Sequence, residues 1–299
     1  MKKILFSLVV FAIVLPKYVF AQDDLMKMAM QNPDTVRTKV IATFKTTKLI
    51  SAQTNETVHK RTLDFRVAHL FGNVGKESHG GVHTFYGLDA SADIRIALEY
   101  GITDKLTVGI SRCKRQENYE GLAKYRLLEQ TSDNKIPLAV TLFVNAAYSA
   151  VENRDGSIFP KSVDRISYTS ELILARKFSS RISIELVPTL VHRNYVFSAL
   201  EKNDVFALGG GGRFRFTRST SFVVDYFYSF DKLRKINNDN GFYNPLGVGF
   251  EIETGGHVFT IMFSNASGII ENDFIPNTSD SWSKWGFKLN FNISRNFKL

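Results

Sequence analysis

Trp285-Gly-Phe-Lys-Leu-Asn-Phe-Asn-Ile-Ser-Arg-Asn-Phe-Lys-Leu299 closes the chain. Successive side chains of an extended strand point to opposite faces. Trp285, Phe287, Leu289, Phe291, Ile293, Phe297 and Leu299 therefore share one face, broken only by Arg295. The other face carries Gly286, Lys288, Asn290, Asn292, Ser294 and Asn296. One side of such a strand suits lipid and the other water, as the wall of a membrane barrel requires.

The other end of the chain supplies the export argument. Lys2 and Lys3, an apolar run from Ile4 to Leu15 and then Val19-Phe20-Ala21 follow the order of a secretory signal peptide, with cleavage expected before Gln22. The residue directly after that site is Gln22 and not cysteine, which argues against a lipid-anchored form. The apolar run is short for a spanning anchor and ends at Pro16. Further on, nothing approaches the ~20 consecutive apolar residues of a membrane helix. A membrane-embedded mature chain must then be a closed barrel, because open sheet edges would leave backbone groups unsatisfied in lipid. The 25 Phe and 11 Tyr against only 7 Pro agree with this reading. A soluble β-sandwich is the minor alternative, since alternation alone does not require lipid.

The single cysteine, Cys113, excludes an intrachain disulfide and a Cys-based zinc site. The formal charge of +9 could attract anionic lipid headgroups or acidic solutes. Its basic residues are scattered along strands of a secreted chain, so nucleic acid is not an expected partner.

Alternating segments of roughly ten residues recur from residue 59 onward, separated by polar turns. In Ala92-Asp-Ile-Arg-Ile-Ala-Leu-Glu-Tyr100, Ile94, Ile96, Leu98 and Tyr100 point one way and Asp93, Arg95 and Glu99 the other. The pattern predicts strands near 59–70, 90–100, 105–113, 118–129, 137–148, 165–177, 181–193, 205–217, 220–230, 245–253, 257–265 and 283–297. Connections alternate short and long, as turns and loops at opposite mouths should, with 114–117 and 130–136 fitting less neatly. The chain divides into a signal peptide (1–21), a periplasmic lead with a possible plug strand (22–58) and an all-β, transmembrane, antiparallel up-and-down barrel (59–299). Lys39–Ile50 looks like one strand more. Because single-chain bacterial barrels have even counts, either it is an accessory strand inside or beneath a twelve-strand barrel, or the barrel has fourteen.

The stretch His69-Leu-Phe-Gly72, Phe85-Tyr-Gly-Leu-Asp89, Ile94-Arg95, Glu99-Tyr-Gly-Ile-Thr-Asp-Lys-Leu-Thr-Val-Gly109 and Leu122-Ala-Lys-Tyr-Arg126 resembles a bacterial family of outer-membrane β-barrels known only as a domain of unknown function. The resemblance covers most of the mature chain. It implies a barrel in the outer membrane of a Gram-negative-type bacterium, and no reaction or cofactor. The residues also have a structural reading: Gly101 and Asp104 suit a tight turn, flanked by Tyr100 and Leu106 as interface anchors. The common terminal assembly signal is matched in spacing by Lys284, Gly286, Leu289 and Phe291, but eight residues follow and the last is Leu299.

Candidate chemistry is sparse. His79-Gly-Gly-Val-His83 spaces two imidazoles as a zinc site would, but Gly80-Gly81 opposes a helix and no Glu follows the first His. A membrane phospholipase needs Ser and His together; His257 and Ser264 lie on opposite faces of one strand, and no Gly-x-Ser-x-Gly occurs. Gly209–Gly212 lacks the Lys and Ser/Thr of a phosphate loop and reads as close-packed wall. No enzyme activity is expected.

The informative constellation is the inward charge set. As pore-lining candidates the sequence offers Arg95, Glu99, Lys124, Arg126, Glu185, Arg213, Arg215, Asp225, Glu251 and Glu253. They are of mixed sign, with Arg213 and Arg215 placed to pair with Glu185 and Asp225 across the ladder. A strongly selective pore would cluster one sign at a constriction. The expected function is a passive channel for small polar solutes. The alternative is a closed barrel that binds a partner or acts as a scaffold, through its long loops or periplasmic lead. Expected partners are outer-membrane lipid, the barrel-assembly machinery, a small polar solute and a periplasmic protein.

Overall fold

The computed structural model describes residues 38–153, 158–198, 201–230 and 241–299. The expected signal peptide and the lead over 22–37 lie outside the described residues. Twelve antiparallel strands close into a barrel: β1 (Thr62–Asn73), β2 (Ser91–Gly101), β3 (Leu106–Cys113), β4 (Asn118–Leu128), β5 (Ala139–Ser149), β6 (Ile166–Lys177), β7 (Ile182–Arg193), β8 (Asp204–Arg215), β9 (Thr220–Ser229), β10 (Leu246–Thr254), β11 (His257–Ser264) and β12 (Lys288–Lys298). Each strand pairs with its neighbours in sequence, and β12 returns to β1 through pairs such as Val67 with Ile293 and Phe65 with Arg295. Closure satisfies every edge, which an open sandwich would not.

The wall is inverted relative to a soluble protein. On β2, Asp93, Arg95 and Glu99 are buried, while Ile96 is 50 % and Leu98 39 % exposed. An exposed apolar row over a buried charged row is what a lipid-facing wall demands, since lipid solvates the outward side chains. The tight turns gather at one mouth, here called the turn mouth, with 129–138 the longest connection there. The long loops gather at the other, the loop mouth, where 114–117 is the short exception. Both misfits to the expected alternation are therefore real features of the fold.

Two departures from the sequence reading have local causes. The last strand starts at Lys288, not near 283, because Trp282–Lys284 forms a 3₁₀ turn and Trp285 adopts a left-handed conformation (φ 54°). Trp285 and Phe287 still lend their carbonyls to the wall side, accepting the N–H groups of Gly75 and Val74 at 3.0 and 2.9 Å. Second, Lys39–Ile50 is no strand. It stays out of the sheet, as the twelve-strand alternative expects, but as an irregular accessory segment with isolated bridges only, Lys39 with Thr131 and Lys48 with Gln53.

That segment continues to residue 58 inside the wall. Phe44, Leu49, Ile50, Ala52 and Val58 are buried against inward-facing strand residues. Burying a side chain of the Leu or Phe class contributes about 1.5–3 kcal/mol. From the loop mouth, the β11–β12 connection also enters, carrying a short helix α1 (Glu271–Asn277) whose Phe274 meets Phe227 of β9 edge-on, with ring centroids 5.2 Å apart.

Candidate functional site

The candidate site is the lumen, and its inward charges do two different jobs. Some knit the wall to itself. Arg95 Nη2 lies 2.7 Å from Glu120 Oε2, which also accepts the Ser111 hydroxyl at 2.6 Å, while Asn145 donates to Glu120 Oε1 at 2.8 Å. Arg213 Nε donates to Glu251 Oε1 at 2.8 Å. This replaces the expected pairing of Arg213 with Glu185 or Asp225. The register explains why: both carboxylates sit level with Gly211, one inward position along from Arg213.

Others hold the internal segment. Asp225 Oδ2 accepts three consecutive main-chain N–H groups, from Ile50 (3.3 Å), Ser51 (2.6 Å) and Ala52 (2.8 Å). Lys124 Nζ donates to the carbonyls of Thr47 (2.7 Å) and Thr54 (3.1 Å). Glu99 Oε2 accepts the Thr47 hydroxyl at 2.9 Å. At the turn mouth, Arg126 pairs with Glu56 (3.1 Å) and Glu253 with Lys45 (2.6 Å). Hydrogen bonds to buried charged groups are each worth about 1.5–3 kcal/mol, and the solvent-screened Lys45–Glu253 pair less, so the buried positions Asp225, Lys124 and Glu99 anchor this segment most firmly. Of the remaining candidates, Glu185 is buried with neither carboxylate oxygen hydrogen-bonded, and Arg215 lies half-buried at the turn mouth.

Glycines in the wall make the fit possible. A Cβ at Gly211 would stand 2.5 Å from Leu49 Cδ1, and one at Gly247 would stand 2.6 Å from Ile50 Cγ2. A Cβ at Gly209 would meet the Phe227 ring at 2.4 Å. The Gly209–Gly212 run is thus close-packed wall, with its two inward members making room for the interior.

The sequence reading missed several lumen residues. Asp64 and Arg66 alternate with Leu63, Phe65 and Val67 on β1 and could have been found by the same pattern. Lys48, Glu271 and Asp273 could not, because they lie outside the strands, Lys48 in irregular chain and the other two on the short α1; the only signal was apolar Ile269-Ile270 and Phe274-Ile275 inside an otherwise polar loop. Burial pushes the Asp273 carboxyl up to about 7, with the Arg115 guanidinium opposing the shift and Asp93 and Glu120 adding to it. His79 and His83 are exposed in the first long loop, and no cluster of three potential ligands forms among the described residues. Ser264 is buried on the inward face, while His257 stands at the turn end of β11, 3.3 Å from Arg295.

Among solved structures, the chain is similar to the NanC porin (TM-score 0.48, 9 % identity, 79 % of this chain and 100 % of that one). It is similar also to the KdgM porin (0.44, 8 %, 80 % and 99 %) and to an outer-membrane channel from Pseudomonas putida F1 (0.45, 13 %, 81 % and 98 %). No curated protein matches it in sequence. A family model described as a membrane bound beta barrel domain, DUF5777, matches residues 44–297, from the internal segment through the last strand. With that match spanning nearly all of the described barrel, the chain belongs to this family of membrane-bound β-barrel domains.

Proposed function

We propose that this protein is an outer-membrane channel for small polar solutes that rests closed, with residues 39–58 as a removable internal plug and the turn mouth facing the periplasm. One observation carries the reading: the segment is held by Asp225, Lys124, Glu99, Arg126 and Glu253 through hydrogen bonds and ion pairs, not through a strand ladder. Polar contacts of this kind can be exchanged for water one at a time, whereas a thirteenth strand would have to break a cooperative ladder. The sequence-based expectation of a passive channel is refined accordingly to a pore that conducts only when the segment shifts from these contacts.

The test is single-channel conductance of the mature protein in a planar bilayer, beside a variant lacking residues 22–50, each first shown to be folded by heat-sensitive gel mobility. The full chain should be closed with rare brief steps and the deletion should conduct steadily. A folded deletion that never conducts overturns the channel reading. The second reading, a closed barrel that binds a partner, is favoured by the entry of α1 from the loop mouth, which fills the lumen from the other side. It would then take precedence.

A further inference from the structure

The internal segment does not fill the lumen evenly. Its hydrogen bonds to inward strand side chains run to Glu99 of β2, Thr107 of β3, Lys124 of β4, Thr141 of β5 and Asp225 of β9, with a contact from Arg66 of β1. Beyond Lys288, which is buried and paired with Asp280 at the loop mouth, the inward face of β12 is Asn290, Asn292, Ser294 and Asn296. None of these four side chains bonds to the segment among the described residues; Ser294 donates instead to Asp64 Oδ1 at 2.7 Å. Two voids lie along this strand. A vestibule of about 610 Å³ opens at the turn mouth and is lined by Ser294 and Asn296. A second void of about 20 Å³ is lined by Asn290 and Asn292. The first has room for a small solute, the second for about one water.

Arg66 separates them. It stands between Asp64, which borders the vestibule, and Ala68, which borders the upper void, and it is in register with Ser294. Its Nη2 donates to Asp64 Oδ2 at 3.0 Å and to Thr47 Oγ1 of the internal segment at 2.9 Å. Two polar atoms on this route have no partner although their residues are almost fully buried: Arg66 Nε (residue 2 % exposed) and Asn290 Oδ1 (9 %). Buried polar atoms ordinarily find a partner, and a water or a solute hydroxyl on the route can supply one to each.

We propose that solute passes along the β12 side of the lumen, with the Arg66–Thr47 contact as its constriction, and that the route favours small uncharged hydroxyl-bearing solutes over ions. The proposal deepens the channel reading and rests on it. Carboxamides and hydroxyls both donate and accept, so a file of them replaces the hydration of a polyol without imposing a field. The charges that would impose one are distant or balanced in sign. Glu171, Glu185 and Asp225 come from β6, β7 and β9; Glu99 and Lys124, which meet Thr47 itself at 2.9 and 2.7 Å, carry opposite charges; and the charged groups bordering the vestibule face partners as Arg126–Glu56, Lys39–Glu129, Lys45–Glu253, Arg66–Asp64 and Asp104–His59.

Cysteine accessibility tests the route, because Cys113 is the sole native thiol and is buried. In a Cys113→Ser background, single cysteines replace Asn296, Ser294 and Asn292 on the route and Thr169 and Thr189, both buried, on the other side of the lumen. The probe is a small neutral methanethiosulfonate added at the turn mouth of the folded protein in vesicles. Asn296→Cys and Ser294→Cys should label rapidly. Asn292→Cys should label at least tenfold faster once Arg66→Ala, or the milder Thr47→Val, is added, while the Thr169 and Thr189 positions stay slow throughout. Labelling of those two as fast as Asn292→Cys overturns the route. Vesicle swelling with glycerol and with glucose should rise severalfold in Arg66→Ala and Thr47→Val, with little preference between potassium and chloride. Strong ion selectivity, or swelling unchanged in both variants, overturns the solute class. A route-specific labelling pattern in the full chain without conduction in the 22–50 deletion would sink the channel reading alone; uniform labelling in the full chain carrying Arg66→Ala, beside a conducting deletion, would sink the route alone.

Discussion

Lys48 Nζ lies 2.8 Å from Glu271 Oε1, joining the internal segment to the β11–β12 loop across the middle of the lumen. Their side chains are 3 % and 0 % exposed. Lys48 also donates to the Ile269 carbonyl at 2.9 Å and sits 5.9 Å over the Phe274 ring, and Gln53 adds a 3.2 Å bond to the same Glu271 oxygen. The two pieces of chain that enter from opposite mouths are therefore latched to each other as well as to the wall.

Breaking one side of such a buried pair costs about 3–5 kcal/mol, whereas replacing both partners with apolar residues can be nearly neutral. Lys48→Met alone and Glu271→Gln alone should each raise the open probability in a planar bilayer sharply. The double variant Lys48→Met, Glu271→Met should return toward the parent. A double variant more open than either single one would mean that the two residues act independently.

Asp225 offers a cleaner handle on the segment than the latch does. Removing its carboxylate as Asp225→Ala strands three buried N–H donors, and Lys124→Met strands two carbonyls. Each change should weaken docking by about 1.5–3 kcal/mol, roughly a ten- to hundredfold rise in the undocked fraction. Trypsin cleavage at Lys48, buried in the closed barrel, would report it. Protection equal to the parent in both variants would remove these residues from the anchoring role.

The wall glycines predict a steric result. Gly211→Val and Gly247→Val should expel the segment, because each added Cβ meets Leu49 or Ile50 well inside contact distance. Gly210→Val is the control, facing outward with its nearest neighbour at 3.5 Å. Conductance should rise in the first two and stay at the parent level in the third.

Asp273 on α1 makes loop packing depend on pH. Buried, its carboxyl titrates at about 7; released to water it returns to the usual value of 3.8. The docked loop therefore holds a proton that the undocked loop gives up. Docking is strongest below about pH 4, weakens steadily as pH rises to about 7, and is constant above that. Arg115, Asp93 and Glu120 face the group, with Asn118 donating to it at 3.1 Å. Loop-mouth access to a large probe should grow from pH 4 to pH 7, and Asp273→Asn should abolish the trend. A trend of opposite sign, or one unchanged in Asp273→Asn, would remove this residue as its source.

Much of the barrel was legible because lipid outside and polar interior impose a two-residue period on every strand, and no other local force competes with it. The β2 and β12 rows show it residue by residue. The last strand was misjudged by five residues because alternation at Trp285 and Phe287 continues across a turn whose left-handed Trp285 leaves no mark on polarity. Inward orientation of Glu99, Lys124 and Asp225 could be read from the same period. What they bind could not, since Asp225 and Lys124 meet backbone atoms and Glu99 a threonine hydroxyl, all in residues 47–54, a segment with no period of its own.

The sequence by itself determined the wall: which faces meet lipid, where the twelve periodic strands run, and which charges point inward. These follow from local periodicity, because each strand's two faces see two different solvents wherever the strand sits. Only the tertiary structure decided that the interior is filled, that Asp225 and Lys124 grip main chain and not one another, and that β12 borders the voids. Those outcomes depend on contacts between residues far apart in the chain, made by amide and carbonyl groups that every residue carries alike, so no pattern of side chains encodes them.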